Sequence, residues 1–310
     1  MESMKNETEI AALATEALGL ENLSVSFLAE GFGNLNYLIE TGNKKFVFRL
    51  KKSMEFQFSD SLEREYAFLK YFESQGIDFC PKVLALNKKE NFLIESYLAG
   101  DEVTQADFTD GQIDELARNL QQLFHLDVTA FADFCEQNGY KKFTYLDPVA
   151  SLKTYGFDRY EKAKQGDLPV EVMAWFEESL AQNLEHMTSF VGSAEVGFSW
   201  GDIQPEVIVD SAGKMHLYDF EHVSISNSFG LSYIKIHGTF SPSQLDYLVD
   251  RCAYYFGRHK DELLLDIIAN EKVVRTNDAV WAAMRWTITK DRSFESLMYE
   301  KIELVKKLDR

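Results

Sequence analysis

The chain has 310 residues, of which 45% are hydrophobic and 14% aromatic, and its formal net charge is −18. This composition excludes a disordered chain, and the negative charge argues against nucleic acid as a partner, because phosphate contacts need a basic surface. No apolar run reaches the roughly 18 to 20 residues that span a bilayer, and the acidic N-terminus does not resemble a signal peptide. The three cysteines are widely spaced and predict no disulfide framework, so we expect a cytoplasmic protein without a membrane partner.

The first hundred residues predict a small antiparallel sheet with one long helix. Apolar residues at helical spacing predict a leading helix at 7–19, and alternating or apolar runs predict short strands around it. The predicted strands and second helix, in chain order, are 24–29, 36–41, 45–50, helix 59–74, 82–86 and 92–95. Three strands, a helix and two strands form an antiparallel sheet more readily than a doubly wound parallel one.

The rest of the chain predicts a larger and mainly helical part. Helical periodicity covers residues 109–127, 170–190, 242–257, 260–270 and 277–307. The segment 130–165 is irregular and aromatic, and Gly197–Asp219 holds two short apolar runs around a turn. We therefore expect an α+β protein with a sheet lobe at 1–97 and a helical lobe at 98–310.

The residues 200–221 carry the strongest chemical signal. Asp202 and Asp219 lie at the two ends of a loop-hairpin-loop segment, which can bring their carboxylates together. One carboxylate could orient a hydroxyl group and accept its proton, while the other holds Mg²⁺ on a phosphate. Two aspartates at this spacing are weak evidence alone, since aspartates in turns often only cap or solvate the chain.

The chain resembles the aminoglycoside phosphotransferase and choline kinase-like enzymes in six short motifs. They occur in family order within residues 28–240. The motifs are EGFGNLNY at 30–37, FVFRL at 46–50, REYAFL at 64–69, IESYL at 94–98, GDIQPE at 201–206 and DFE at 219–221. The resemblance implies the two-lobed protein kinase-like fold, with ATP and Mg²⁺ as cofactors.

The resemblance also implies a role for individual residues. Asp202 would be the catalytic base, and Asp219 would bind the metal. Arg49 stands where the family has the strand lysine that contacts the α- and β-phosphates, and its expected partner is Glu65, with Glu63 as a rival. The remaining nucleotide contacts implied are the phosphate-covering hairpin with Gly31, Gly33 and Asn34, and the hinge with Glu95 and Tyr97.

Three polar functions of the family pattern are changed in this region. Trp200 replaces the histidine before Gly-Asp, and Val207 stands where the family has a metal-binding asparagine. Valine has no side-chain oxygen, so a shift of one residue would make Glu206 the second metal ligand instead. Asn227 and Ser228 replace the acidic turn that follows the family's metal motif.

These features leave more than one function open. The first hypothesis is an ATP-dependent phosphotransferase that acts on a hydroxyl group, and net acidity favours a cationic small acceptor such as an amino alcohol or aminoglycoside. The second is a pseudokinase, which binds nucleotide or serves as a scaffold with little catalysis. A third is that only the fold persists, with an unrelated ligand. The sequence predicts neither the acceptor nor the oligomeric state.

Overall fold

The computed structural model describes residues 5–31, 33–52, 61–140, 148–190, 196–200, 206–228 and 230–308. The chain divides into two compact units. Unit 1 contains residues 1–104, 130–142 and 206–222, and unit 2 contains 105–129, 143–205 and 223–310.

Unit 1 is built on a five-stranded antiparallel sheet with the strand order β1-β2-β3-β5-β4. The remaining strands of this unit form a second sheet in the order β6-β8-β9. The elements of this unit are α1 Glu7–Leu18, β1 Ser24–Glu30, β2 Asn34–Thr41, β3 Lys44–Lys51, α2 Ser61–Ser74, β4 Val83–Asn87, β5 Phe92–Ser96, β6 Asp101–Thr104, β8 Glu206–Val209 and β9 Met215–His216. The predicted order of three strands, a helix and two strands is confirmed.

The local sequence explains where α1 begins and ends. Asn6 caps the helix through a hydrogen bond from the Glu9 backbone N–H, and the Glu9 side chain accepts from the Asn6 backbone N–H in return. Gly19 follows the helix with φ 63°, a left-handed conformation that glycine adopts without strain. The apolar face of α1, including Ile10 and Ala14, packs on one face of the sheet, where Phe48, Phe92 and Ile94 lie.

Unit 2 is mainly helical and contains one small two-stranded sheet. Its elements are α3 Asp110–Phe124, α5 Pro148–Leu152, a π-helical turn Lys153–Phe157, α6 Asp158–Ala163, α7 Val170–Phe190, β7 Gly197–Ser199, β10 Ser224–Ser226, α8 Leu231–His237, α9 Pro242–Phe256, α10 Lys260–Thr289 and α11 Arg292–Leu308. Helix α4, Val128–Gln137, runs from unit 2 into unit 1. The segment 130–165, which the sequence left irregular, is thus largely helical where the structure describes it.

The predicted break between helices at residues 271–276 is wrong. Helix α10 continues to Thr289, and the chain turns at Lys290, where φ is 59°. The β-branched residues of this stretch, such as Val273, Val274 and Thr276, have low helix propensity, but all three are buried. Their burial stabilises the helix more than their propensity weakens it.

None of the helices in the described part of the chain combines the length and hydropathy needed to cross a bilayer. The three cysteines, Cys80, Cys135 and Cys252, are buried and free, as the sequence predicted.

Candidate active site

A buried ion-pair network in unit 1 joins strand β3, helix α2 and the segment that follows β9. Arg49 is on β3 and donates from Nη1 to Glu65 Oε1 on α2 at 2.6 Å. Its Nη2 donates to Asp219 Oδ1 at 3.1 Å. The side chains of Arg49 and Glu65 are 8% and 0% exposed, and that of Asp219 is 22% exposed. The structure therefore brings together three residues that the sequence placed in one site, and Glu65 is the partner of Arg49.

Glu65 also orders the backbone next to Asp219. Its Oε1 accepts a second hydrogen bond, at 3.0 Å, from the backbone N–H of Phe220. The Phe220 ring is fully buried and makes an edge contact with Phe72, with ring centroids 5.7 Å apart. Asp219 itself has φ 63°, a left-handed conformation that aspartate tolerates better than most residues. The direction of its carboxylate is thus set by the backbone, by packing and by Arg49 together.

The rival partner of Arg49, Glu63, points elsewhere. Its Oε1 accepts a hydrogen bond from Lys88 Nζ at 2.7 Å. Burial raises the pKa of Glu65, and Arg49 is the main influence that opposes this rise. The surrounding carboxylates of Glu65, Asp219, Glu95 and Glu221 raise the pKa of Arg49 despite its burial. Arg49 is therefore charged over the whole accessible pH range.

Glu95 is a second buried carboxyl group on the same face of the sheet as Arg49. On β5 it lies opposite Val47, two residues from Arg49, so side-chain alternation directs both away from the core face of Phe48 and Ile94. It is 7% exposed, and no described residue donates a hydrogen bond to its Oε2. The pKa of Glu95 is raised to about 7. Burial is the largest influence and raises it, Arg49 lowers it, and Asp219 raises it.

The pKa of Glu95 predicts a loss of stability as pH rises. Folded protein keeps the Glu95 proton up to about pH 7, whereas the unfolded chain releases it near the ordinary value of 4.5. The folded state therefore binds more protons between these values, and its free energy of unfolding falls as pH rises through this window. We expect Glu95 to contribute a decrease on the order of 3 kcal/mol, measured by urea unfolding at several pH values.

The Glu95→Gln variant should make this pH dependence less steep, because glutamine does not titrate and only the raised pKa of Glu65 then acts in the same direction. The exposed Glu16 on α1 offers a matched control, and Glu16→Gln should leave the profile of the wild type unchanged. An equally steep fall in the Glu95→Gln variant would contradict the assignment to Glu95.

Backbone hydrogen bonds hold Gly31 and Gly33, the described residues between β1 and β2. The backbone N–H of Gly31 donates to Asn34 O at 2.9 Å, and the Gly33 carbonyl accepts from the Lys52 backbone N–H at 2.9 Å. Asn34 begins β2 and is buried. A Cβ at Gly31 would meet only Asn34 O, at 3.6 Å, which is an ordinary contact. A side chain would therefore fit at position 31. That Gly31 lets the backbone approach a phosphate stays a prediction.

Lys52 is a residue at this hairpin that the sequence analysis missed. Its Nζ donates to the Gly31 carbonyl at 2.8 Å and forms an ion pair with Glu30. The signal was present, because two lysines directly follow the third strand of the resemblance. Lys52 places a positive charge beside the loop, in addition to the charge of Arg49.

Two backbone N–H groups of the expected hinge already donate hydrogen bonds within unit 1. The backbone N–H of Ser96 donates to Lys82 O at 2.8 Å, and that of Tyr97 donates to Lys45 O at 3.3 Å. The Tyr97 ring is 36% exposed and has Lys45 Nζ at 5.8 Å from its centroid. A nucleobase at this segment would therefore meet the side chains of Glu95 and Tyr97, or backbone groups beyond Tyr97.

The residues expected to hold a metal are only partly described. Asp219 offers a carboxylate, the ligand type that Mg²⁺ prefers. Glu206 begins β8 opposite Thr104, and the neighbouring Val207 is fully buried. Burial raises the pKa of the Tyr218 hydroxyl, and Glu102, Glu206 and Asp219 raise it further. The hydroxyl donates to Glu102 Oε1 at 3.3 Å.

Within the described ranges, no group of three or more His, Cys, Asp or Glu side chains is arranged to hold a metal ion. One or two carboxylates nevertheless suit Mg²⁺, which usually keeps several waters and binds through substrate phosphates. The residues therefore fit magnesium carried by a nucleotide better than a metal held by the protein alone.

The predicted catalytic residue, Asp202, lies in 201–205, outside the described residues. Trp200, directly before this segment, belongs to unit 2 and is fully buried. Its indole fills interior volume where the family has a histidine. The role of Asp202 stays a prediction.

A hydrogen-bonded network in unit 2 surrounds Asn227 and Ser228, which stand where the resemblance implies an acidic turn. Asn270 Nδ2 donates to Asn227 Oδ1 at 2.8 Å, and Ser228 Oγ lies 3.1 Å from Ser232 Oγ. Arg258 Nη1 donates to the Asn227 carbonyl at 3.1 Å. All four of the Asn and Ser side chains are buried. Amide and hydroxyl groups, together with the Arg258 guanidinium, thus hold Asn227 and Ser228 where the resemblance implies an acidic turn.

The ring of Trp281 already faces a cation of the protein itself. The guanidinium carbon of Arg285 lies 5.9 Å from the Trp281 centroid and 4.8 Å from that of Phe294. The two rings also contact each other edge to face, 5.5 Å apart. The protein's own arginine is therefore the cation over Trp281, which argues against a cage for a cationic acceptor at this ring.

The chain begins with an antiparallel sheet and continues in a largely helical remainder, and a strand arginine pairs with a helix glutamate. These features together define the protein kinase-like fold. A model of the phosphotransferase enzyme family matches residues 24–227. This match covers more than half of the chain, so the chain belongs to the phosphotransferase enzyme family. The predicted fold and family are confirmed. The comparison with curated proteins found no match.

Solved structures of small-molecule kinases share this fold along their whole length. A choline kinase from Cryptosporidium parvum Iowa II is 12% identical, with 98% of this chain and 95% of that chain covered and a TM-score of 0.68. The GDP complex of wild-type aminoglycoside 2'-phosphotransferase-IIIa is 17% identical, with 99% and 100% covered and a TM-score of 0.67. A ternary complex of APH(2")-IIa with streptomycin and ATP is 14% identical, with 97% of both chains covered and a TM-score of 0.64. At these identities the likeness shows the fold alone.

Proposed function

We propose that this protein is an ATP-dependent phosphotransferase that transfers the γ-phosphate to a hydroxyl group of a small cationic acceptor. The observation that carries the proposal is the Arg49 guanidinium, which donates to Glu65 and to Asp219 in the family's sequence context. Phosphoryl transfer depends mainly on positioning and charge neutralisation, and this network provides a fixed cation and a fixed metal ligand.

The proposed roles follow the predicted residues. Asp202 orients the acceptor hydroxyl and accepts its proton. Arg49 and the hairpin of Gly31, Gly33 and Asn34 contact the phosphates, while Glu95 and Tyr97 lie at the nucleobase. Asp219 binds Mg²⁺, which neutralises charge on the phosphates when bound, and Glu206 is the candidate second ligand. Residues 1–97 form the nucleotide lobe in this proposal, and residues 98–310 carry the acceptor pocket.

A cationic acceptor is supported by charge and by the relatives. The net charge of −18 attracts cations over a long range. The similar structures include a choline kinase and a complex of APH(2")-IIa with streptomycin and ATP, and choline and streptomycin are both cations. We place the enzyme in the cytoplasm, where ATP is available.

Two measurements test the proposal in sequence. Mg-ATP should raise the melting temperature of the protein, because it binds the folded state. Purified protein should then release ADP when amino alcohols or aminoglycosides are added, in a coupled assay. Absence of any thermal shift would reject nucleotide binding, and binding without ADP release across both acceptor classes would favour the second candidate.

The second candidate is a pseudokinase, and Val207 favours it. This side chain is fully buried and has no oxygen with which to bind a metal. If the missing ligand limits turnover, Val207→Asn should increase ADP release by about tenfold or more, since one ligand supplies part of the transition-state charge stabilisation. Val207→Thr is a control of nearly equal volume to the wild type. Equal rates in the wild type and the Asn variant would show that Val207 does not limit the reaction.

A further inference from the structure

Arg49 makes a contact that competes with metal binding in the proposed reaction. Its Nη2 donates to Oδ1 of Asp219, the residue proposed to bind the metal. A guanidinium has several donors in a rigid fork, so it can hold two carboxylates from different nitrogens at once. Here Nη1 holds Glu65 at 2.6 Å while Nη2 holds Asp219 at 3.1 Å.

The surroundings make Arg49 a strong counter-ion for Asp219. Arg49 is 7% exposed and lies among the carboxylates of Glu65, Asp219, Glu95 and Glu221. In such a poorly solvated position, a hydrogen bond between charged groups is worth more than in water. A divalent cation that approached Asp219 alone would compete with Arg49 for Oδ1 and would also meet the positive charge of the guanidinium.

A nucleotide changes this balance. Its triphosphate carries several negative charges, and the guanidinium fork matches phosphate geometry as well as it matches carboxylate. Phosphate oxygens beside Arg49 would give Nη2 a new acceptor and neutralise the charge that repels the metal. Nη1 can remain on Glu65 meanwhile, because the two nitrogens are separate donors.

We propose that Arg49 is a positioning residue that holds the Asp219 carboxylate in place of the metal until a nucleotide binds. The inference rests on the proposed function, since it takes Asp219 as the metal ligand. It assigns an order to the reaction, in which the metal enters with the nucleotide or after it. It also gives a physical reason for arginine at a position where the resemblance implies lysine, because a lysine has a single nitrogen for both carboxylates.

The test measures Mn²⁺ binding in the absence of nucleotide, from the electron paramagnetic resonance signal of free Mn²⁺. Arg49→Lys keeps the positive charge but removes the fork, so Asp219 should become available. Breaking one hydrogen bond between charged groups corresponds to a gain of about tenfold or more in Mn²⁺ affinity over the wild type. The double variant Arg49→Lys/Asp219→Asn should lose this gain, which would locate the new binding at Asp219.

A control separates this effect from general electrostatics. Arg118 on α3 has a side chain 52% exposed, and Arg118→Lys should leave Mn²⁺ affinity unchanged. Equal Mn²⁺ affinity of the wild type and Arg49→Lys would overturn the inference. If Arg49→Lys does not fold, the wild type alone can test the inference. Its Mn²⁺ affinity is then measured without nucleotide and with a non-hydrolysable ATP analogue. Equal affinity in the two conditions would also overturn the inference.

The two proposals fail in different ways. Fluorescent ATP binding to the wild type, measured in EDTA and again with Mg²⁺, tests the proposed function. Absence of binding in both conditions would reject nucleotide binding whatever the Mn²⁺ results show. Nucleotide binding together with unchanged Mn²⁺ affinity in Arg49→Lys would reject only the role of Arg49.

Discussion

The Asp219→Asn variant is expected to lose phosphoryl transfer by roughly a hundred- to a thousandfold, the cost of removing one preorganised electrostatic group. Asparagine has nearly the same shape and tolerates the left-handed backbone, φ 63°, that position 219 requires. It is a neutral and much weaker ligand for Mg²⁺ than a carboxylate. The loss should therefore appear in the rate of ADP release, measured at saturating acceptor.

The same variant should remain folded, because only one of the two carboxylates that contact Arg49 is replaced by a neutral group. Its far-ultraviolet circular dichroism should match the wild type, and the thermal shift with Mg-ATP should disappear. Asp101→Asn, an exposed change in β6 of the same unit, should keep both activity and thermal shift. Full activity in Asp219→Asn would remove this residue from the reaction.

The Arg49→Met variant is expected to lower the free energy of unfolding by about 3–5 kcal/mol, which is typical when one member of a buried ion pair is removed. Methionine fills a similar volume but carries no charge, so the carboxylates of Glu65 and Glu95 remain buried without a cation. Both side chains are less than a tenth exposed, and neither can turn to solvent without unpacking. Urea unfolding monitored by tryptophan fluorescence measures the change.

A second substitution should recover part of this loss. In Arg49→Met/Glu65→Gln the buried carboxylate is neutral, and the glutamine oxygen can still accept from the Phe220 N–H. We expect the double variant to be more stable than Arg49→Met alone. The exposed Arg118, paired with Asp114 at 3.4 Å, is the control, and Arg118→Met should change stability by no more than about 1 kcal/mol. A mild effect of Arg49→Met, equal to that of Arg118→Met, would contradict the structural role of the network.

Local pattern was enough to predict most of unit 1. Alternation and turn residues located β1 to β5 and α2 to within a few residues, since each element is specified by side chains close to it in sequence. It failed at α10, where burial of Val273 and Val274 overrides low helix propensity. It also did not find β6, a four-residue strand that exists because it pairs with β8 more than a hundred residues later.

The sequence by itself determined the family, the order of β1 to β5 and α2, and the residue types available for chemistry, because motifs in a fixed order survive in a linear pattern. It favoured Glu65 over Glu63 as the partner of Arg49 but could not show this contact, nor that Lys52 reaches the glycine hairpin. Only the tertiary structure decided these points. Residues 49, 65 and 219 meet through strand pairing and helix packing, and their separation along the chain carries no information about which side chain faces which.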